Sequence, residues 1–199
     1  MNPQSMNAST LVAIGRKHDS DDIVEVMRMA RAVGFKTINM DIIIGLPGET
    51  TSDIDFTVNE LLKLKPENIT IHTLAVKRAS RLNEDLTKYE MLHDTSVEEM
   101  MHHAEFALRD ASFAPYYMYR QKKMIGHLEN VGYALPGHES LYNMRIMEEK
   151  HSIIACGAGG VSKICEPEEN RFERISNHKG LEDYLNRFDE ILEKKKILK

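Results

Sequence analysis

An acidic side chain stands inside an apolar run, Ile38-Asn39-Met40-Asp41-Ile42-Ile43-Ile44. Carrying a carboxylate into such surroundings costs several kcal/mol unless it is paired or hydrogen-bonded. Asp41 therefore reads in one of two ways: a buried aspartate that caps a neighbouring loop, or an acceptor for the hydroxyls of a bound nucleoside. Arg16, which follows Ile14-Gly15, is either a surface arginine or a clamp for a carboxylate, whose planar geometry the guanidinium fork matches. The run Gly157-Ala158-Gly159-Gly160 has no Lys-Ser/Thr behind it and is not a P-loop. Glycine is wanted equally at a tight turn and where backbone approaches a ligand. In parallel β/α folds ligands gather at the C-terminal ends of strands. That rule singles out Gln4, Asp41 with the Gly45-Leu46-Pro47-Gly48 turn, Ala75, and the glycine loop.

The remaining reactive residues read more plainly. Nine histidines show no metal-ligand spacing. His102 and His103 are adjacent on a helix and point to different faces, and His72 reads as a core or edge residue of a strand. His138 and His151 flank a predicted strand and are candidates for contact with an acidic or porphyrin ligand. Two cysteines, Cys156 and Cys165, cannot build a disulfide framework or a tetrahedral zinc site. They read as buried structural thiols.

These side chains need elements to hold them. Asn7 or Ser9 can cap a short helix that ends near Gly15. Ser20-Asp21-Asp22 opens a second, with carboxylates at the positive end of its dipole. Ile23, Val26, Met27, Ala30 and Val33 form its apolar stripe, and Gly34 ends it. The run 38–44 is apolar on both faces, as a parallel strand covered by helices must be. Thr51-Ser52-Asp53 caps a helix running to about Lys65, and residues 68–74 (NITIHTL) form the next strand. This is the β/α alternation of a parallel sheet or barrel. Thr95-Ser96-Val97-Glu98 starts a helix through Arg109. Beyond Pro115 the pieces PYYMYR, SLYNMRIMEE, HSIIACGAGGVSKI and NRFERIS read as antiparallel strands. A closing helix spans roughly Gly180 to Lys195 with Leu181, Tyr184, Leu185, Phe188, Ile191 and Leu192 inward.

With 199 residues, the chain is long enough for one domain or one and a part. No stretch reaches the ~18 apolar residues of a bilayer span, and the polar start MNPQSMNAST is not a signal peptide. A cytoplasmic location with no membrane partner follows as the expectation. The net charge of −5 argues against a nucleic-acid partner. Only two clear parallel strands are present, fewer than a parallel sheet needs to bury both faces. The chain reads as the second part of a larger domain, and Asn2-Pro3-Gln4-Ser5 has the look of a strand end.

Three blocks then fall in order: Asn2-Pro3-Gln4-Ser5-Met6-Asn7, Ile14-Gly15-Arg16-Lys17-His18, and Asn39 to Thr50, which contains GLPGET. Together they resemble consecutive blocks of radical S-adenosylmethionine (SAM) enzymes, in the branch of oxygen-independent coproporphyrinogen III oxidases. The stretch Tyr116 to Met124, continuing to Glu129-Asn130-Val131-Gly132-Tyr133, is similar to the subtype of clostridia and bacilli. The resemblance runs through essentially the whole chain. It implies an α/β fold: the C-terminal portion of a partial (β/α) barrel over residues 1–92, then an α+β extension over 93–199 with antiparallel strands and a C-terminal helix.

The implied activity is that of an oxidoreductase. A [4Fe-4S] cluster on a C-x3-C-x2-C motif cleaves SAM, and propionates of coproporphyrinogen III become vinyl groups in haem biosynthesis. The partners would be a porphyrinogen substrate and a reductant for the cluster. By motif position, Gln4, Arg16, Asp41, Ala75 and Val161 match the family's SAM-contacting residues. Gln4 and Asp41 suit ribose hydroxyls, Arg16 the methionyl carboxylate, and Ala75 and Val161 the adenine. The cysteine triplet and the family's glycine-rich block for the SAM amino group are absent, so the expectation is no SAM cleavage by this chain alone. A related haem chaperone and an inactive fragment are the other two readings.

Overall fold

The computed structural model describes residues 1–75, 94–120, 128–166, 168 and 171–196. Asn39–Ile44 (β1) and Asn68–Thr73 (β2) pair in parallel, with Asp41 opposite Thr70 and Ile43 opposite His72. Ala114–Tyr119 (β3) and Asn130–Ala134 (β4) extend the same sheet in the order β1-β2-β4-β3, with β4 antiparallel to both neighbours. On the outer side of β1, Gln4 bridges Ile42 in parallel, so the segment read as a strand end is one.

Side chains alternate across a strand, and the two faces of this sheet differ in kind. Met40, Ile42 and Ile44 of β1 are fully buried. With Ile69 and Ile71 they join one apolar cluster that includes Ile54, Val58 and Leu61 of Thr51–Leu64 (α3) and Val97, Met100, Ala104 and Leu108 of Asp94–Asp110 (α4). The opposite face carries Asn39, Asp41, Thr70, His72, Asn130, Gly132, Tyr117 and Tyr119, in matching register. The 38–44 run is thus apolar on one face only. Its other face, with Asn39, Asp41 and Ile43, is mixed and half-buried.

Helix ends follow local hydrogen bonding. Asp19, rather than Ser20, caps Ser20–Val33 (α2): Asp22 N–H donates to the Asp19 carboxylate at 2.9 Å and Asp19 N–H to Asp22 at 3.1 Å, a reciprocal box. Gly34 closes that helix at φ 103°. The stripe assigned to α2 is only half inward, because Ile23 and Met27 are buried while Val26 and Val33 are exposed. Ala8–Ala13 (α1) begins after Asn7, whose side chain is spent elsewhere.

The chain comprises two compact units, residues 1–139 and 140–199. Since β3 and β4 continue the first sheet, that sheet runs on past the 92/93 position where the sequence placed the junction. In the second unit Val161–Glu166 (β5) and Arg171–Ser176 (β6) form an antiparallel pair. Its other elements correct the sequence reading. SLYNMRIMEE is not a strand: Leu141–Glu148 (α5) is a helix capped by Ser140, which accepts from Asn143 N–H at 3.4 Å. The single closing helix is two, Leu181–Asn186 (α6) and Phe188–Lys195 (α7), broken at Arg187 with φ −119°. Of its six supposed inward residues only Ile191 is buried, and Leu181, Leu185, Phe188 and Leu192 are exposed. The cysteines are not core residues either: Cys156 is exposed and Cys165 intermediate. Among the described residues no helix is long and apolar enough to cross a membrane.

Candidate functional site

Gln4 and Asp41 meet through the backbone. Gln4 N–H donates to the Asp41 carbonyl and Ile43 N–H to the Gln4 carbonyl, both at 2.9 Å. Gln4 is 6% exposed, adopts φ 69°, and its side-chain Oε1 is buried without a hydrogen-bond partner among the described residues. A left-handed backbone on a residue other than glycine costs about 1–3 kcal/mol and persists only where the surroundings impose it. An unmade hydrogen bond at a buried amide costs a similar amount. Both costs fall on one residue, Gln4.

Asp41 is the better satisfied of the two. Asn39 Nδ2 donates to its Oδ1 at 2.6 Å, and His72 Nε2 lies 3.7 Å from the same oxygen. Burial pushes its carboxyl up, but the His72 and Asn39 contacts and the nearby N-terminal ammonium outweigh that and leave it below its ordinary value. It is an ionised acceptor with its side chain 23% exposed. A ring of neighbours continues from it: Thr70 donates to Asn39 Oδ1 at 3.0 Å and pairs with the Tyr117 hydroxyl at 3.3 Å. Tyr119 Oη lies 3.2 Å from His72 Nδ1. Burial raises the Tyr117 phenol to about 12.

A second carboxylate shapes the site from below. Glu49, in the GLPGET turn, is 1% exposed. Its Oε1 accepts from Ser5 Oγ at 2.6 Å and from Asn7 Nδ2 at 3.3 Å, while Oε2 is buried and unpartnered among the described residues. Thr57 Oγ1 accepts from Met6 N–H at 3.1 Å. Residues 5–7 are thereby bolted to the turn and to α3, directly after strained Gln4. Burial raises the Glu49 carboxyl, against the opposing hydrogen bonds.

Arg16 is exposed and makes no ion pair among the described residues. Its N–H caps α1 on the Leu11 carbonyl at 2.9 Å, and two residues on His18 Nε2 sits 3.2 Å from the Pro3 carbonyl. The loop bearing the guanidinium is therefore fixed beside the Gln4 segment. Ala75 follows β2, one residue after Leu74 N–H bonds the Ile44 carbonyl at 3.0 Å, so it lies at the same strand ends as the GLPG turn. Val161 opens β5 in the 140–199 unit and is 46% exposed.

Of the histidines, only His138 and His151 depart from their sequence reading. His102 and His103 are exposed, His103 beside Asp55 at 3.1 Å. His138 faces Thr37 Oγ1 at 3.1 Å, and the segment between it and His151 holds α5 instead of a strand. Among the described residues no group of three His, Cys, Asp or Glu could hold a metal. Asn39, Thr70, His72, Tyr117 and Tyr119 escaped the sequence reading as site residues. The signal was available in the alternation of β2, where Asn68, Thr70 and His72 recur at every second position of N-I-T-I-H-T.

Comparison with known proteins follows from these placements. The Radical SAM superfamily model matches residues 1–61. The chain is 42% identical, over 98% of its length, to the oxygen-independent coproporphyrinogen-III oxidase-like protein HemZ of Bacillus subtilis, and spans 39% of that relative. It is 26% identical over 79% of its length to the haem chaperone HemW of Lactococcus lactis, again covering 39% of it. The solved coproporphyrinogen III oxidase HemN of Escherichia coli superposes on 96% of the chain and 42% of its own, with TM-score 0.67 and 17% identity, a likeness of fold. The parallel β1-β2 pair, the Gln4 bridge and the GLPGET turn lie inside or beside the region that the family model matches, and the chain is similar through that region to the radical SAM superfamily and through nearly all of its length to an oxygen-independent coproporphyrinogen III oxidase-like protein.

Proposed function

We propose that the first unit holds the nucleoside and amino-acid parts of SAM in an oxidoreductase of the coproporphyrinogen III oxidase type. The observation that carries this reading is the buried, unpartnered Oε1 of Gln4, hydrogen-bonded through its backbone to the residue whose carboxylate stands ionised on the same strand pair. An orphaned acceptor and a half-buried acceptor at adjacent strand positions match a pair of ribose hydroxyls in number and polarity. Arg16 supplies the bidentate fork for the methionyl carboxylate. Small Ala75 leaves room for a purine face at the strand ends. A sulfonium nucleoside held here would, on one-electron cleavage of its S–C5′ bond by a separate reductant and release of methionine, supply hydrogen-atom abstraction from a propionate side chain, whose loss of carbon dioxide and of one electron to a separate acceptor would leave a vinyl group. The chain's own residues bind and orient; none is asked to move a proton.

The cluster is another matter. The two cysteines lie in β5 and the loop before it, and neither belongs to a C-x3-C-x2-C motif, so these residues do not fit an iron–sulfur cluster and no step is derived through one. A porphyrinogen substrate and a separate reductant are the partners this reading requires. Titrating the full chain with S-adenosylhomocysteine by calorimetry tests it. Asp41→Ala is expected to weaken binding by about 1–3 kcal/mol, the value of hydrogen bonds to a charged acceptor. Equal affinity in the two proteins would remove Asp41 from the site.

The haem chaperone relatives support a second reading, haem binding by the same scaffold. A Soret band that survives gel filtration after addition of haem would favour it. The Tyr116–Arg120 and Glu129–Tyr133 stretches, similar to the oxidase subtype, favour the first.

A further inference from the structure

We propose that His72 and Tyr119 are positioning residues for Asp41, an arm that occupies one carboxylate oxygen so that the other is presented to the hydroxyl pair of a nucleoside. This rests on the reading of Asp41 given above and deepens it. The two residues come from strands that are not neighbours: β4 lies between β2 and β3, and its Asn130 stands opposite Tyr119. Tyr119 Oη nevertheless reaches to 3.2 Å from His72 Nδ1, and His72 Nε2 to 3.7 Å from Asp41 Oδ1. Asn39 takes that same oxygen at 2.6 Å. Both side-chain contacts converge on Oδ1 and neither on Oδ2.

The donor roles agree along the chain of groups. An ionised carboxylate accepts only, so the tautomer that turns a donor toward Asp41 has its hydrogen on Nε2, and in that tautomer Nδ1 accepts the phenolic proton of Tyr119. The arm is braced from behind. The Tyr119 ring meets the imidazole edge-on at 6.3 Å and 71°, and stacks at 5° on Tyr117, whose hydroxyl pairs with Thr70 at 3.3 Å. The Tyr117 ring in turn occupies the space over Gly132, where an added Cβ would lie 1.8 Å from Cε1. An aspartate held in one rotamer before binding does not lose that freedom on binding. Nothing about the bare sequence joins residues 41, 72 and 119; the strand order does.

The experiment uses the full chain. Histidine-ring 15N NMR of the ligand-free protein should report His72 as the Nε2–H tautomer, with the signal displaced in Asp41→Asn and in Tyr119→Phe. Calorimetry with S-adenosylhomocysteine should show Tyr119→Phe and His72→Leu each weakening binding about 3- to 10-fold, with His72→Gln recovering part of the loss through its own N–H donor. In the Asp41→Asn background the same changes should have no further effect, and a 2′,3′-dideoxyadenosine probe should not distinguish Tyr119→Phe from the parent. Losses that simply add to that of Asp41→Asn would overturn the proposal, as would an Nδ1–H tautomer in the free protein. Unchanged affinity in Asp41→Asn itself would instead sink the nucleoside reading, and the tautomer would still decide whether the arm exists.

Discussion

At the scale of single residues, Gln4 Oε1 and Glu49 Oε2 are buried without a partner among the described residues, at a cost. Glu49 is the more exacting. Its folded carboxyl titrates above its unfolded value because burial outweighs the bonds from Ser5, Thr10 and Asn7. Such a group gives stability that is present below the unfolded value and is lost as pH rises through the folded one. Glu49→Gln keeps an oxygen for Ser5 and Asn7 and removes the charge. It should therefore unfold with a flatter pH dependence than the parent as pH rises above the ordinary carboxylate range, read by thermal melts at a series of pH values. Glu49→Ala strands the Ser5 and Asn7 donors and should cost about 1–3 kcal/mol below the ordinary carboxylate range, less as pH rises. A parent profile as flat as that of Glu49→Gln would contradict the assignment. Asp41 has the opposite sign: its folded value lies below the ordinary one, so its contribution is present above the unfolded value and fades as pH falls through the folded one.

At the scale of elements, the sheet works as a divider between an apolar layer and a polar one, and the fit between strands is close. Gly132 carries the contact with least tolerance, since its missing side chain is where Tyr117 lies. Gly132→Ala should lower stability by about 1–3 kcal/mol through overpacking, measured by urea unfolding, and Tyr117→Leu in the same protein should return part of it. A neutral Gly132→Ala would mean that Tyr117 is not seated there. Much of this layer was legible in the sequence: the existence of β1, β2, α2, α3 and α4 follows from periodicity and the Gly and Pro stops, while the caps fall one residue earlier than read, on Asp19 and Thr50. What misled is instructive. Leu141–Glu148 carries Tyr, Met and Ile at a density that reads as strand, yet a Ser140 cap starts a helix there. The closing helix has an apolar stripe, but Arg187 leaves helical geometry and each short piece buries little. Gln121 to Met124, part of the oxidase-like stretch, lie outside the described residues.

At the scale of the molecule, the apolar cluster that runs from Met6 to Tyr133 is contained in residues 1–139. A unit with its own core should fold as one. Residues 1–139 alone are expected to melt in one cooperative transition by near-UV circular dichroism, while a gradual loss with dye-binding apolar surface would show an incomplete core. The site residues were partly readable for the same reason that the fold was. Gln4, Arg16, Asp41 and Ala75 belong to segments with recognisable neighbours in sequence, whereas His72, Tyr117 and Tyr119 are joined to Asp41 only by the strand order. The central claim is that Gln4 and Asp41 face one nucleoside. A crystal structure of the chain with S-adenosylhomocysteine tests it most directly. It is expected to place the ribose hydroxyls within hydrogen-bonding distance of the Asp41 carboxylate and a ligand donor against Gln4 Oε1. Ligand density elsewhere on the chain, with Gln4 Oε1 still unpartnered, would contradict it.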